Sequence, residues 1–207
     1  PWGIFDLNGN VIEWVAGIRQ VAGEIQVIGN NDAADFLFGD SDKDQGRDST
    51  LWKAFGIDGT LVAPECTIDD GGTVSDTGVG ATLKLQPGAA SGDNTVTIDL
   101  AVATRTTGSV DCPFGDISVD GVNVPALPEV LVTLGLAPPA SGQSALHGAD
   151  RFYMRNDDSG AYAETLARRG GFWYYTTYAG VFYLCLVNYR SSHNRYCGAR
   201  PAFVGAL

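Results

Sequence analysis

Residues 181–189, VFYLCLVNY, alternate with a period of two, and this stretch constrains the fold more than any other. Extended as a strand, it places Phe182, Leu184 and Leu186 on one face and Tyr183, Cys185, Val187 and Tyr189 on the other. A half-buried strand ordinarily carries Lys, Glu or Gln outward. Here the outer set is rich in tyrosine and runs on into SSHNRY. Residues 172–197 hold six of the chain's eight tyrosines and no Lys, Glu, Gln, Asp or Met. Gly170, Gly171, Trp173, Gly180, Gly198, Arg200 and Pro201 read as a frame around this stretch. The residues between them follow no size pattern, which a packed core seldom tolerates. An apolar frame carrying Tyr, Ser, Asn, His and Arg has the make-up of an antibody combining site. The expectation is a binding surface with the outer residues of the strand open to water.

The rest of the chain suits such a frame. At 207 residues it can bury one sizeable core. Its 27 Gly and 9 Pro, with 18% charged residues, point to a turn-rich β domain rather than a helical bundle. No apolar run approaches the roughly 20 residues of a membrane-crossing helix, so membrane insertion is not expected. A first residue of Pro1 is expected of a processed or trimmed chain. The charge is uneven. Eight of the 13 basic residues and all 24 acidic ones lie at or before Glu164, giving −16 there, while residues 165–207 carry five Arg and +5. Arg168, Arg169 and Arg200 are expected to pair with carboxylates of the acidic body. Five arginines are too few for a phosphate-tracking stripe, which argues against nucleic acid as partner. Four cysteines cannot build a disulfide scaffold at this length. Cys66 and Cys112 could pair or could be buried thiols; Cys185 and Cys197 read as surface or rim thiols without a catalytic role.

Along the chain, Asn8-Gly9 reads as a turn leading into the strand VIEWV, with Trp14 facing inward. Short strands are expected over residues 17–30, where Ile25, Val27 and Gly29 alternate against Gln26 and Ile28. Asp40, Asp42 and Asp44 lie in an acidic loop whose register fails as an EF-hand, with Gln45 in place of the glycine and Leu51 in place of the bidentate glutamate. STLWKAFG is expected to be a short helix, capped by Asp48 or Ser49 and stopped at Gly56. Residues 57–124 read as strand and turn, with Leu83/Leu85 and Val96/Ile98/Leu100/Val102 alternating, either as an inserted β subdomain or as loops on the main body. LPEVLVTLG reads as a second short helix, with Pro128 at its first turn and Gly135 at its end.

Motifs at the two ends fit together. PWG-IFD-LNGNVIEWV at the start and RRGG-x-W…AGVFYL-x-L…CGARPAF at the end resemble the formylglycine-generating-enzyme type of C-type lectin fold. Within it, the chain looks most like the variable proteins of diversity-generating retroelements. The N-terminal match covers about 15 residues and the C-terminal one about 37; the middle is only weakly similar. The resemblance implies an α+β, β-rich and irregular fold with few short helices, one domain over residues 1–207, an inserted region at 31–150 and a variable region at 168–203. Ala199 departs from the commoner Phe of that family's ending. In the family, adenines of a template repeat are mutated during copying, so Asn codons scatter to a set that lacks Lys, Glu, Gln, Met and Trp. Tyr174, Tyr175, Thr177, Tyr178, Cys185, Val187, Tyr189, Ser192, His193, Arg195 and Tyr196 belong to the reachable set, and Asn188 and Asn194 match the unmutated codon. The ligand-binding face implied joins these residues with Tyr183 and Ser191. Its tyrosines would supply rigid contact area, and Ser191, Ser192, His193, Asn194 and Arg195 adaptable hydrogen bonds.

The resemblance implies a diversified receptor- or ligand-binding protein of a virion or cell surface, not an enzyme, with a protein or cell-surface ligand as partner. It requires no cofactor, although Asn8 and Glu13 match a position that holds a structural calcium in formylglycine-generating relatives. Rival readings are a formylglycine-generating-enzyme-like oxidoreductase and a structural virion or surface protein. The first would need a reactive cysteine pair, and Cys185 and Cys197 stand twelve apart among residues that look randomised. Iron-dependent sulfoxide synthases of the same fold need a histidine cluster, and this chain has only His147 and His193. The Glu-Pro-Asn, Gln-Pro-Asp and Trp-Asn-Asp triplets of calcium-dependent sugar binding are absent.

Overall fold

The computed structural model describes residues 12–29, 45–88, 94–100, 107–139, 144–157, 159–193 and 197–199. Its centre is a hairpin of β1 (Ile12–Val21) and β2 (Glu24–Ile28), turned through Ala22 and Gly23, both at positive φ. A side chain at Gly23 would meet the Leu85 carbonyl at 2.8 Å, so glycine alone fits this turn. On one side of β2 come β3 (Trp52–Phe55) and β4 (Leu61–Val62), and also β7 (Lys84–Pro87), β8 (Val96–Asp99) and β10 (Ser118–Val119). Beyond β1 lie β12 (Glu164–Arg169), β13 (Leu184–Asn188), β11 (Arg151–Asn156) and β9 (Gly108–Pro113), in that order. The C-terminal β14 (Cys197–Ala199) runs parallel to the start of β1. These twelve strands form one mixed sheet, and β5 (Cys66–Ile68) and β6 (Val74–Asp76) form a separate ribbon. The middle of the chain thus supplies β7–β10 to the same sheet as the two ends. The protein is β-rich with very few helices.

The main core covers one face. Ile25 and Val27 of β2, Leu85, Ile98, Phe152, Met154, Ala167, Leu184 and Leu186 point into it and are buried. Two short helices, α1 (Glu129–Thr133) and α2 (Ser144–His147), come between β10 and β11 in the chain. The second helix forms where expected, but Pro128 stands just before α1 rather than in its first turn, and Gly135 follows its end at φ 64°. Arg169 caps that end from β12, donating to the carbonyls of Leu134 and Gly135 at 3.1 and 2.6 Å.

Three expectations change. STLWKAFG is not a helix: Trp52–Phe55 is β3, antiparallel to β2. Eight residues are too few to nucleate a stable helix alone, whereas the open edge of β2 offers a ready ladder. The hydroxyl of Ser49 accepts from the amide of Leu51 at 3.2 Å, closing a turn instead of a helix cap. Secondly, the alternation in β2 holds, but its second face is also covered: Gln26 is fully buried, as is Glu24. Thirdly, Trp14 is half-buried, with the Arg168 guanidinium 5.0 Å from its ring. Cys66 and Cys112 are buried thiols in different clusters and are not joined by a disulfide, and burial pushes the Cys112 thiol up to about 12. The Asn8-Gly9 turn, Asp40, Asp42, Asp44 and Val102 lie outside the described residues. Among the described residues no helix is long and apolar enough to cross a membrane.

Candidate ligand-binding face

The second face of β12 and β13 carries the tyrosines. Gly170 and Gly171, at φ 89° and 72°, turn the chain out of β12. A Cβ at Gly171 would stand 2.6 Å from that of Ala179, so the two ends of the next turn close only over glycine. Trp173–Tyr178 then forms two 3₁₀ turns joined at Thr176 (φ 50°, ψ −111°), a conformation suited to glycine and strained for a β-branched residue. The return is pinned by Asp150, whose carboxylate accepts from the amide of Phe182 at 2.8 Å and leaves no room for a Cβ at Gly180. Burial raises the Asp150 carboxyl, and the hydrogen bond from Phe182 only partly offsets it. Phe182 itself packs on Phe114 and edge-on to His147.

On this support sits a chain of rings. Tyr174 stacks on Phe172 at 5.3 Å with the planes 3° apart, and Tyr175 meets both edge-on. Tyr175 continues to Tyr153 and Tyr183. Tyr174 is 44% exposed, Tyr178 49% and Val181 58%, and Thr176 and Thr177 are exposed as well. Tyr175 is half-buried, and burial followed by its tyrosine neighbours pushes its hydroxyl up to about 12. Two expected surface residues are not on the surface. Tyr183 is 1% exposed and Cys185 2%. They pack with Ile12 and Phe172 in a small cluster under Tyr153, Tyr175 and Val187, because the turn at 173–178 folds back over β13 and roofs its outer side. They form the floor of the face. Cys185 is therefore not a rim thiol: its sulfur accepts from Asn188 at 3.3 Å and from Arg168 at 3.5 Å. Cys197 is half-buried and accepts from Arg168 at 2.7 Å.

The far end of β13 forms a second, more polar part. Val187, Asn188, Tyr189 and Ser192 are half-buried, while Ser191 and His193 are exposed. The amide of Ser192 donates to the carbonyl of Tyr189 at 2.9 Å, closing the turn, and Arg190 ties it down with two 2.7 Å bonds to Glu164. Burial alone would push the Glu164 carboxyl up. The hydrogen bonds and charge of Arg190, with those of Arg19, outweigh burial and hold the carboxyl below its usual range. Asn194, Arg195 and Tyr196 lie outside the described residues.

Arg168 and Arg169 do not fill the role expected of them. Among the described residues Arg168 donates to thiols and Arg169 to carbonyls, and burial lowers the Arg169 guanidinium to about 10. Among the described residues of this stretch, Arg190 is the arginine that pairs with a carboxylate of the body; Arg195 and Arg200 lie outside them.

The sequence reading missed four residues of this face: Arg151, Tyr153, Arg155 and Tyr162. Arg151 reaches over Tyr178 at 5.5 Å while bound to Asp111 at 2.6 Å. Arg155 lies 3.6 Å over Tyr162, which meets Tyr189 edge-on at 5.2 Å. The signal was present. RFYMRN alternates with period two, its buried half Phe152, Met154 and Asn156, its half-buried half Arg151, Tyr153 and Arg155.

Chemically the face offers rigid aromatic edges, hydroxyls and a few cations already held by acidic partners. That suits recognition by contact. Among the described residues no group of three or more His, Cys, Asp or Glu side chains is placed to hold a metal ion. Of the pair matching a calcium position, Glu13 lies half-buried in β1 and Asn8 lies outside the described residues. No protein-family model matches the chain, and no curated protein matches it either.

Proposed function

We propose that this chain is a diversified ligand-binding protein of the retroelement type, built on a C-type lectin scaffold and acting by contact rather than by catalysis. The observation that carries the reading is the division of residues 172–193 into a pinned frame and exposed side chains. Gly171, Phe172, Gly180, Leu184 and Leu186 hold the backbone, while Tyr174, Thr177, Tyr178, Ser191 and His193 project from it. Exposed side chains of this kind can be exchanged at small cost to folding, usually within about ±0.5 kcal/mol each, and Tyr174, stacked on Phe172, at about 1 kcal/mol. Rigid tyrosines give contact area with little entropy to lose on binding. The partner class is a protein or other cell-surface ligand, and the place of action a virion or cell surface.

The burial pattern sharpens the test. Diversification should fall on codons of the exposed and half-buried positions and spare Tyr183. The DNA around the gene should hold a near-duplicate repeat, beside a reverse transcriptase, with adenines at the codons for Tyr174, Tyr175, Thr177, Tyr178, Val187, Asn188, Tyr189, Ser192 and His193. Sibling sequences that vary uniformly along residues 1–199 would overturn the proposal.

A further inference from the structure

Three arginines converge on one buried carboxylate. Glu164 accepts from Arg19 at 2.8 Å, from Arg47 at 3.2 Å and twice from Arg190 at 2.7 Å. Neither the Glu164 side chain (0% exposed) nor that of Arg19 (3%) is open to bulk water. Three guanidinium groups on one carboxylate leave an excess of positive charge among the described residues. The next carboxylate inward, Glu24, reaches Arg19 only through the amide of Gln26, by bonds of 2.6 and 2.8 Å. Arg47 and Arg190 carry the excess with side chains 19% and 30% exposed, so it stays within reach of an anion from solvent.

Beside this cluster lies a cavity of about 270 Å³ lined by Arg19, Arg47, Ser49, Thr50, Trp52 and Lys53, among others. The Arg19 guanidinium lies over the Trp52 ring at 4.2 Å from its centroid, and the Trp52 ring nitrogen donates to the carbonyl of Gly46 at 2.9 Å, so this wall is fixed. Arg47 is fixed as well, by its bonds to Glu164 and to the carbonyl of Asp70 at 3.1 Å. Among the described residues of the lining, Asp48 is the one acidic side chain, against Arg19, Arg47 and Lys53. None of these residues belongs to the tyrosine face.

We infer that this cavity binds a small oxyanion, the sulfate, phosphate or carboxylate group of a ligand, in a protein whose net charge is −11. Among the described residues Arg19 and Arg47 donate through Nε and Nη1, to Glu164, Gln26 and the carbonyls of Arg47 and Asp70, which leaves the Nη2 of each to donate to such a group from a pre-oriented guanidinium. Lys53 supplies the adjustable contact, and Thr50 a hydroxyl donor.

The test uses the full chain in thermal melts and calorimetric titrations with sodium sulfate, phosphate or acetate at low millimolar concentration, against sodium chloride of equal ionic strength. The expected result is a saturable rise in Tm with at least one oxyanion and none with chloride; the three salts tell which head group fits. Lys53→Gln and Arg47→Gln should each raise the midpoint concentration at least tenfold. Should Arg47→Gln fail to fold, Lys53→Gln decides alone, since its side chain makes no bond to the Glu164 cluster. Shifts no larger than with chloride, or a midpoint unchanged in Lys53→Gln, overturn the inference.

Discussion

The two faces of β13 make opposite use of one strand. Leu184 and Leu186 enter the main core, where Phe152, Met154 and Ala167 surround them. Tyr183 and Cys185 point the other way and are just as buried, but under a roof of tyrosines whose upper sides meet water. Burial alone therefore does not separate frame from surface in this protein. What separates them is what lies above: another packed layer in one case, and a single layer of exposed rings in the other.

The comparison can be broken by substitution. The largest loss is expected where the frame's charges are locked: Glu164→Ala strands three guanidinium groups and should cost roughly 3–5 kcal/mol in urea denaturation. Leu184→Ala should cost about 2–5 kcal/mol by leaving a core cavity, and Tyr183→Ser roughly 3 kcal/mol. If Tyr183→Ser were as mild as a surface change, the floor beneath the rings would not be packed.

Titration sharpens the same contrast. Tyr175 has its hydroxyl raised from 10.0 to about 12, so its ionisation opposes folding. The stability linked to that neutral hydroxyl is fully present below pH 10 and is lost as pH rises through about 12. In an alkaline absorbance titration Tyr175→Phe should remove a component near pH 12. A component unchanged in that variant would place Tyr175 in open solvent.

Smaller effects belong to the exposed layer. Thr176→Gly should stabilise the fold by about 1 kcal/mol, because glycine adopts the positive φ without strain. Tyr178→Ser should cost at most about 1 kcal/mol, the worth of an exposed cation–π contact with Arg151. Thr177→Ala and His193→Ala should stay within about 0.5 kcal/mol of the parent.

How far the sequence shows this division depends on how local each cause is. α1 was legible because Pro128 and Gly135 act within a few residues of where they stand. The alternation of β13 was legible for the same reason. β3 was not, because four residues take the structure their neighbour offers, and the edge of β2 is remote in sequence. Nor was the burial of Gln26, Tyr183 and Cys185, since each is covered by a segment that chain topology brings over it. Tyr153 and Arg151 were readable as an alternating strand, but their place beside Tyr175 and Tyr178 depends on β11 and β13 being parallel neighbours.

The central claim is that the frame holds whatever its exposed side chains become. One measurement tests it directly: the urea-denaturation free energy of a chain in which Tyr174, Thr177, Tyr178, Ser191 and His193 are all exchanged together for Ser, Asn or Ala. The account predicts a total loss no greater than about 2 kcal/mol with an unchanged m-value, from small and nearly additive terms. A loss equal to that of Glu164→Ala, or a transition that is no longer cooperative, would contradict it.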